Sequence, residues 1–204
     1  MLRRIKDNIN IGTITDVISN VNTSINRSIR TNNNKNNNKN EVYDIETYTL
    51  IKGVQLVNNN TVIVEAGPLE LNEAQFITWK YLRGSDTLSD AFSNLNEELN
   101  NMISLETFKF ITDDLTGMGV VYISSSESDI CKYIEDDCKT VINAELLSDI
   151  RNKIYLRHLD MEIVVSSREY LLLKAIIKGE YESIDVKDWK TFFSLYKKEA
   201  ISFI

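Results

Sequence analysis

Three side chains in the 204-residue sequence belong to the types that most often ligate transition metals or act as nucleophiles: His158, Cys131 and Cys138. A structural zinc site takes about four thiolate or imidazole ligands, so this set cannot complete one. Seven residues along one helix would place the two sulfurs ~10 Å apart, too far for a disulfide. We therefore expect two buried thiols in a reducing compartment and a histidine that serves packing or the surface.

The remaining polar groups do not assemble into a recognisable catalytic motif. The chain contains no glycine-rich loop of the P-loop or dinucleotide-binding kind, and Gly117 and Gly119 form only an isolated G-x-G at a helix end. The adjacent carboxylates of residues 113–114 and 135–137 point to different sides of their helices, as on a solvated surface. We expect a protein that is not an enzyme, with no catalytic residues, no cofactor and no metal.

The region from residue 61 to residue 123 shows a regular order of strands and helices. Strand-like runs on either side of Gly67-Pro68 are followed by Asn72, a good N-cap residue, and by a helix that ends at Gly84. A second helix begins behind Asp86 or Thr87, and a third begins at Ser104 and ends near Gly117. A hairpin, three helices and a closing strand, residues 120–123, predict an α+β winged helix-turn-helix with a three-stranded sheet.

The charge of this region argues against DNA binding. Residues 41–123 contain thirteen acidic and four basic side chains, a net charge of −9. The third helix, which would enter a major groove, has Lys109 alone against Glu106, Asp113 and Asp114. A DNA-reading helix must meet phosphates with Lys or Arg, so we expect no nucleic-acid partner for this unit.

This region resembles the PqqD-like recognition domain of pathways that modify ribosomally made peptides. It is closest to the version at the N-terminus of azole-forming cyclodehydratase partner (ocin-ThiF-like) proteins of thiopeptide and bacteriocin pathways. The likeness covers roughly residues 48–123. It is carried by the run 50–57, the polar turn 58–61, the strand end 69–72, the helix end 82–84, Thr87-Leu88 and the closing run 115–121.

The resemblance implies that the domain binds the leader of a precursor peptide as an extra strand. An edge strand offers unpaired amides and carbonyls, and alternate side chains of the guest fill pockets. The leader would lie between the last strand of the hairpin and the third helix. Carried onto this chain, the peptide-binding residues are Leu69, Glu70, Leu71, Thr107, Phe110, Ile111 and Asp114.

Phe110 is singled out by its position on the third helix. It lies about 200° around the helix from Phe108, so it cannot share the apolar stripe formed by Leu105, Phe108, Ile111 and Leu115. An aromatic side chain off the core stripe is a candidate anchor for a guest peptide. The alternative is that Phe110 packs against the C-terminal half of the chain, and the sequence does not decide between the two.

The N-terminal forty residues differ in charge from the rest. Residues 1–30 show apolar residues at mostly helical spacing, and residues 31–40 form an Asn-rich polar linker. Residues 1–40 carry a net charge of +5, against −12 for the remainder. This basic amphipathic arm could bind a partner enzyme, an anionic membrane surface or the acidic body of its own chain.

The C-terminal part, residues 125–204, is predicted to begin with two helices, 129–142 and a second one behind Asn143 that carries Leu146, Leu147, Ile150 and Ile154. A strand, a helix from Arg168 to Lys178 ending at Gly179, a helix 186–199 capped by Asp185, and a strand 200–204 follow. Because the run 164–179 matches 69–84 in its cap and glycine positions, we read a second, shortened winged-helix-like unit without the middle helix. A coincidence of two ordinary strand–cap–helix patterns is the alternative.

The sequence thus predicts an arm (1–30), a linker (31–40), a peptide-recognition winged helix (41–124) and a C-terminal unit (125–204). The expected function is a non-catalytic scaffold that presents a bound precursor peptide to cyclodehydratase or dehydrogenase enzymes in thiopeptide or bacteriocin biosynthesis. The alternative is a winged-helix transcriptional regulator that uses Lys187, Lys190, Lys197 and Lys198.

With no run of ~20 apolar residues and no continuous signal-peptide core, a cytoplasmic protein without a membrane partner is expected. Whether it forms a homodimer stays open.

Overall fold

The computed structural model describes residues 47–56, 60–180 and 188–204. The predicted arm, the linker, residues 57–59 of the polar turn and the predicted cap Asp185 lie outside the described residues. Within them the chain is α+β, with six helices and ten short strands in four antiparallel sheets. None of the described helices is both long enough and apolar enough to cross a membrane.

The N-terminal unit contains three helices and five strands. In chain order they are β1 (Tyr48–Ile51), β2 (Val54–Gln55), β3 (Thr61–Val64), β4 (Gly67–Glu70), α1 (Glu73–Arg83), α2 (Leu88–Glu98), α3 (Leu105–Gly117) and β5 (Val121–Ser124). Strands β2, β3 and β4 form an antiparallel meander, and β5 returns to pair with β1. The hairpin, the three helices and the closing strand therefore occur in the predicted order.

The C-terminal unit begins with a helix and ends with a strand. Its elements are α4 (Glu127–Asp137), β6 (Thr140–Ile142), β7 (Ala144–Ser148), β8 (Lys153–Leu156), β9 (Met161–Val164), α5 (Ser167–Lys178), α6 (Trp189–Lys197) and β10 (Ile201–Phe203). Strands β7, β8 and β9 form a second meander, and β10 pairs with β6.

The two units share one topology. In each, a first strand is followed by a three-stranded meander and helices, and a last strand pairs antiparallel with the first. Residue-level contacts repeat as well: Leu71 N–H donates to Asn60 O at 3.0 Å, and Val165 N–H donates to Asn152 O at the same distance. The helices that follow the meander differ in number, with three in the first unit (α1, α2 and α3) and two among the described residues of the second (α5 and α6).

Both helices that follow the meanders start with a capping box. Asn72 and Gln75 exchange side chain–backbone hydrogen bonds at the start of α1, and Ser166 and Glu169 do so at the start of α5. The predicted cap Asn72 is confirmed. The helix α5 starts one residue earlier than predicted, with Ser166 as its cap, and it ends as predicted at Gly179, whose φ of +67° suits glycine.

The predicted helix behind Asn143 is wrong, and so is the extension of the preceding helix to residue 142. The chain there forms strands, because Leu146 pairs with Ile154 across the β7–β8 ladder and both side chains turn inward. Ile150, counted as a core position of that helix, is 95% exposed in the turn between the strands. A short apolar run fits helix and strand spacing about equally well, and here cross-strand pairing decides.

The two units are joined through Arg83, which is buried at 5% exposure. Its guanidinium donates to Gly53 O (3.3 Å) in the first unit and to Ile201 O (3.1 Å) and Ser202 Oγ (2.6 Å) in the second. The same group lies 5.7 Å from the ring centre of Trp79 and 5.1 Å from that of Tyr196. Strand β10 is therefore fixed to the N-terminal unit by a buried cation.

Further buried contacts surround this junction. The hydroxyl of Tyr196 accepts from Ile51 N–H (2.9 Å) and donates to Ile51 O (3.2 Å), and Gly53 N–H donates to Phe203 O (2.6 Å). Burial raises the pKa of Tyr196 to about 12, so the phenol stays protonated. One hydrophobic core extends through both units. The two units, divided at residue 124, therefore share this core.

Glu169 is a second buried charge, inside the C-terminal unit. It is 4% exposed and accepts hydrogen bonds from Ser166 N–H, from Ser194 Oγ (2.6 Å) and from the ammonium of Lys198. Burial by itself would raise the pKa of this carboxyl, but the hydrogen bonds from Lys198, Ser194 and Ser166 outweigh it and lower the pKa to about 2. The carboxylate thereby holds α5 against α6.

We expect Arg83→Met to lower the free energy of unfolding by about 3 kcal/mol, because it leaves buried carbonyls and Ser202 without their donor. Urea unfolding followed by circular dichroism measures the change. Arg151→Met, at an exposed arginine, is the matched control and should change stability by less than about 0.5 kcal/mol. Equal stability of the two variants would show that the Arg83 contacts do not join the units.

We expect the destabilisation caused by Glu169→Gln to shrink as the pH falls. The folded-state pKa lies near 2, below the ordinary 4.5, so the carboxylate's contribution is complete above about pH 5 and is lost as the pH falls towards 2. The contribution is at most about 3 kcal/mol from the size of the shift. Urea midpoints of the wild type and the variant, measured from pH 6 to about pH 2.5, should converge; the exposed Glu135→Gln serves as control. A pH-independent gap would contradict the assignment.

Candidate functional site

The strand β4 is an edge of its sheet. It pairs with β3 on one side, with Val62 opposite Leu69 and Thr61 opposite Glu70, and among the described residues no strand pairs with its other side. This places Leu69 and Glu70, two of the residues implied by the resemblance, on an edge strand.

The register fixes which backbone groups of β4 point outward. Because Leu71 N–H donates to Asn60 O, Leu71 and Leu69 direct their groups to β3, and the alternate residues Pro68 and Glu70 direct theirs away from the sheet. Proline has no N–H, so the outward edge offers one donor, Glu70 N–H, and the carbonyls of Pro68 and Glu70 as acceptors. An extended guest could make about three backbone hydrogen bonds here.

A hydrogen-bonded chain connects the end of β4 to α3. Asn72 N–H donates to Gln75 Oε1 (3.0 Å), and Gln75 Nε2 donates to Asp114 Oδ2 (3.2 Å) on α3. Asn72 directly follows β4, so this chain holds Asp114 against the point where the edge strand ends. The structure thus connects the two elements that the resemblance places on either side of the leader.

Three of the predicted contact residues belong to the core. Leu71, Thr107 and Ile111 are 2%, 1% and 3% exposed. Thr107 shares a hydrogen bond with its cap residue, Ser104 Oγ, at 2.8 Å. Their side chains support the surface from below, and a guest would meet only Leu69, Glu70, Phe110 and Asp114 of the predicted set.

Phe110 is 49% exposed on α3, one turn before Asp114. Met118, two turns after Phe110, is 41% exposed, so the three side chains lie along one side of the helix. The described part of the C-terminal unit leaves half of the Phe110 side chain uncovered. That unit therefore does not bury Phe110, and about half of the residue's surface is open to a guest.

A shallow apolar groove lies along a different side of α3, towards β5 and the start of α2. Phe110 and β4 are not part of it. It is lined by Leu88, Leu105, Phe108, Lys109, Thr112, Asp113 and Ile123. This groove is bordered by β5, whereas the resemblance implies a cleft bordered by β4.

The residues considered first for chemistry are engaged in packing. Burial raises the pKa of the Cys131 thiol to about 11 and also raises the pKa of Cys138, so neither thiol is a ready nucleophile. Both are free and half-buried, less covered than expected. His158 Nε2 lies 2.7 Å from Glu199 Oε2 with 9% of its side chain exposed, as expected of a packing histidine. The described residues contain no cluster of His, Cys, Asp and Glu able to hold a metal.

The cations on which the DNA-binding alternative relies are largely paired within the protein. Lys197 forms an ion pair with Asp86 across the two units, and Lys198 pairs with the buried Glu169. Lys187 lies outside the described residues. Lys190 and Lys197 are exposed, and Lys198 is half-buried. The last helix therefore presents little positive charge to a phosphate backbone.

Two residues of this surface were not predicted from the sequence, Gln75 and Met118. Gln75 lies three positions after Asn72, which is the capping-box position, and its side chain also reaches Asp114. Met118 stood near the glycines that end α3, and its distance of eight residues from Phe110 was the signal for a shared helix side.

None of the family models, curated proteins or solved structures compared with this chain matches it.

Proposed function

We propose that the protein is a non-catalytic scaffold that binds the leader segment of a ribosomally made precursor peptide by strand addition at β4. The observation that carries this proposal is the edge strand with its outward Glu70 N–H, tied through Asn72 and Gln75 to the exposed side of α3. The winged-helix description of the N-terminal unit belongs to the same proposal, supported by its hairpin, three helices and closing strand.

The energetics favour a guest held by both backbone and side chains. Three backbone hydrogen bonds contribute about 1 kcal/mol each, which falls short of the ~8 kcal/mol that corresponds to micromolar affinity. Burying an aromatic side chain contributes about 1.5–3 kcal/mol more, and Phe110 is the exposed aromatic beside Asp114. A leader with an apolar residue facing α3 is the guest that fits these contributions.

Charge sets a second requirement on the guest. Residues 61–73 contain three glutamates and no lysine or arginine. Glu65 is paired with Lys139, and Glu70 and Glu73 leave the edge acidic, so it disfavours an acidic strand. A leader that pairs here is neutral or basic at the residues flanking Glu70. This is the chemical feature that separates candidate precursor peptides in a binding screen.

The scaffold would act by raising the concentration of the precursor's reactive segment near a modifying enzyme. Holding the leader makes the second encounter intramolecular, with millimolar effective concentration for a short flexible connection. Cyclodehydratase or dehydrogenase enzymes are the proposed partners. The thiols and the histidine, engaged in packing, leave the chemistry to them.

We expect Glu70→Pro to abolish leader binding while leaving the fold intact. The variant removes the last outward N–H of β4, and since that N–H makes no bond to β3, the sheet loses none. Fluorescence polarisation with labelled synthetic N-terminal segments of any short Cys/Ser/Thr-rich peptide encoded beside the gene measures binding, and circular dichroism checks the fold. Glu70→Ala, which keeps the N–H, is the matched control and should bind as well as the wild type or better. Equal loss in both variants, or none in either, would rule out strand addition at this edge.

We expect Phe110→Ala to weaken binding of the same labelled segments by about 10- to 100-fold, as for the loss of one buried aromatic contact. Met102→Ala removes an equally exposed apolar side chain, 49%, from the loop before α3 and should leave the affinity unchanged. Unfolding midpoints within error of the wild type would show that both changes act on the surface. An unchanged affinity of the Phe110 variant would remove α3 from the site.

A further inference from the structure

The second meander has an edge strand with fewer obstacles to pairing than β4. Strand β9 pairs with β8 on one side, and among the described residues nothing pairs with its other side. Because Val165 N–H donates to Asn152 O, Val165 and Ile163 direct their backbone groups to β8, and Glu162 and Val164 direct theirs outward. The outer edge of β9 thus presents two N–H donors and two carbonyl acceptors in alternation.

Two edge strands of the meanders, β4 and β7, have features that hinder pairing with another chain, and β9 does not. Strand β4 has Pro68 on its outward register, and β7, the opposite edge of the second meander, has a register shift between Leu146 and Ser148. Proline and bulges both hinder pairing with another chain. Strand β9 has neither, and its side chains Val164 and Met161 are 65% and 44% exposed.

We propose that β9 is a homodimer interface, in which the β9 strands of two copies pair antiparallel around a two-fold axis at Ile163. In this register Glu162 lies opposite Val164 of the other copy, and each pair exchanges two backbone hydrogen bonds, four in all. Ile163 lies opposite its own symmetry mate at the centre. The two three-stranded meanders then form one continuous six-stranded sheet.

Charges permit this register. In the sheet, Val164 has Lys153 as its neighbour on β8 and would have Glu162 of the other copy on its outer side. No like charges stand directly opposite each other, and Glu162 is already paired with Lys153 of its own chain at 2.8 Å. Residues 144–164 contain four acidic and three basic side chains, so two copies meet with little repulsion.

Strand β4 is the poorer edge for self-pairing. In the equivalent register, with Leu69 on the two-fold axis, Pro68 would lie opposite Glu70 of the other copy, and two of the four backbone hydrogen bonds would lack a donor because proline has no N–H. The occupant that fits β9 is therefore a second copy of this chain, and the β9 dimer does not depend on what binds at β4. The interface is small, so the dimer is expected to dissociate in the micromolar to sub-millimolar range.

Symmetry gives a sharp test by cross-linking. In the full-length chain, Ile163→Cys would bring two cysteines to a directly opposed, non-hydrogen-bonded pair, where Cα atoms lie about 4.5 Å apart and a disulfide can form. Val164→Cys is more exposed but lies opposite Glu162 of the other copy, so it should not cross-link to itself. We expect mild oxidation to yield a covalent dimer with Ile163→Cys and none above the wild-type background with Val164→Cys. Oxidation of the wild type measures the background cross-linking through its own cysteines, Cys131 and Cys138.

Sedimentation equilibrium of the untagged wild type provides the second measurement. We expect a dimer that Val164→Pro converts to a monomer with an unchanged circular dichroism spectrum, because the lost N–H points outward, whereas Val164→Ala stays dimeric. A wild type that is monomeric at about 1 mM, where even −4 kcal/mol of association free energy populates the dimer, would overturn the proposal. So would preferential cross-linking of Val164→Cys, or a dimer unaffected by Val164→Pro.

Discussion

The buried guanidinium of Arg83 is the interaction on which the arrangement of the two units depends. A charge removed from water is stabilised by pairing its donors, and here both terminal nitrogens have acceptors, which come from both units: Gly53 from the first, Ile201 and Ser202 from the second. The charge also acts at a distance. Burial would raise the pKa of Glu199, but the contact with His158 and the charges of Arg83 and His158 keep that pKa below its usual value. Breaking this centre would separate β10 from the N-terminal meander.

The recurrence of one topology in both units gives the chain two comparable edge strands. Each unit ends its meander on an edge strand followed by a capped helix, with β4 before α1 and β9 before α5. The edges differ in chemistry: β4 has a proline and an acidic surrounding, and β9 has neither. Edges of different chemistry can serve different partners, a guest peptide at one and a second copy at the other.

The candidate peptide surface is modest in its polar groups, and this bears on mechanism. One outward N–H and two carbonyls set the register of a guest without binding it tightly, so selectivity would come from Phe110 and from the charge around Glu70. A weak hold would suit the proposed scaffold, from which a modified peptide has to be released. The thiols and the histidine are engaged in packing.

The sequence by itself determined the elements whose signals are local. Asn72 and Ser104 as caps, the glycine end at Gly179 and the three helices of the first unit follow from residues within one or two turns of each other. The off-stripe position of Phe110 could also be predicted from the sequence, since helix geometry fixes it.

Only the tertiary structure decided the pairing of Leu146 with Ile154, because strand pairing depends on residues that come together after folding. It also decided that Leu71, Thr107 and Ile111 are covered, that Gln75 reaches Asp114, and that Arg83 meets Ser202. Partners separated by 39 or 119 residues leave no periodic signal in a single chain, so their contacts could be found only in the folded molecule.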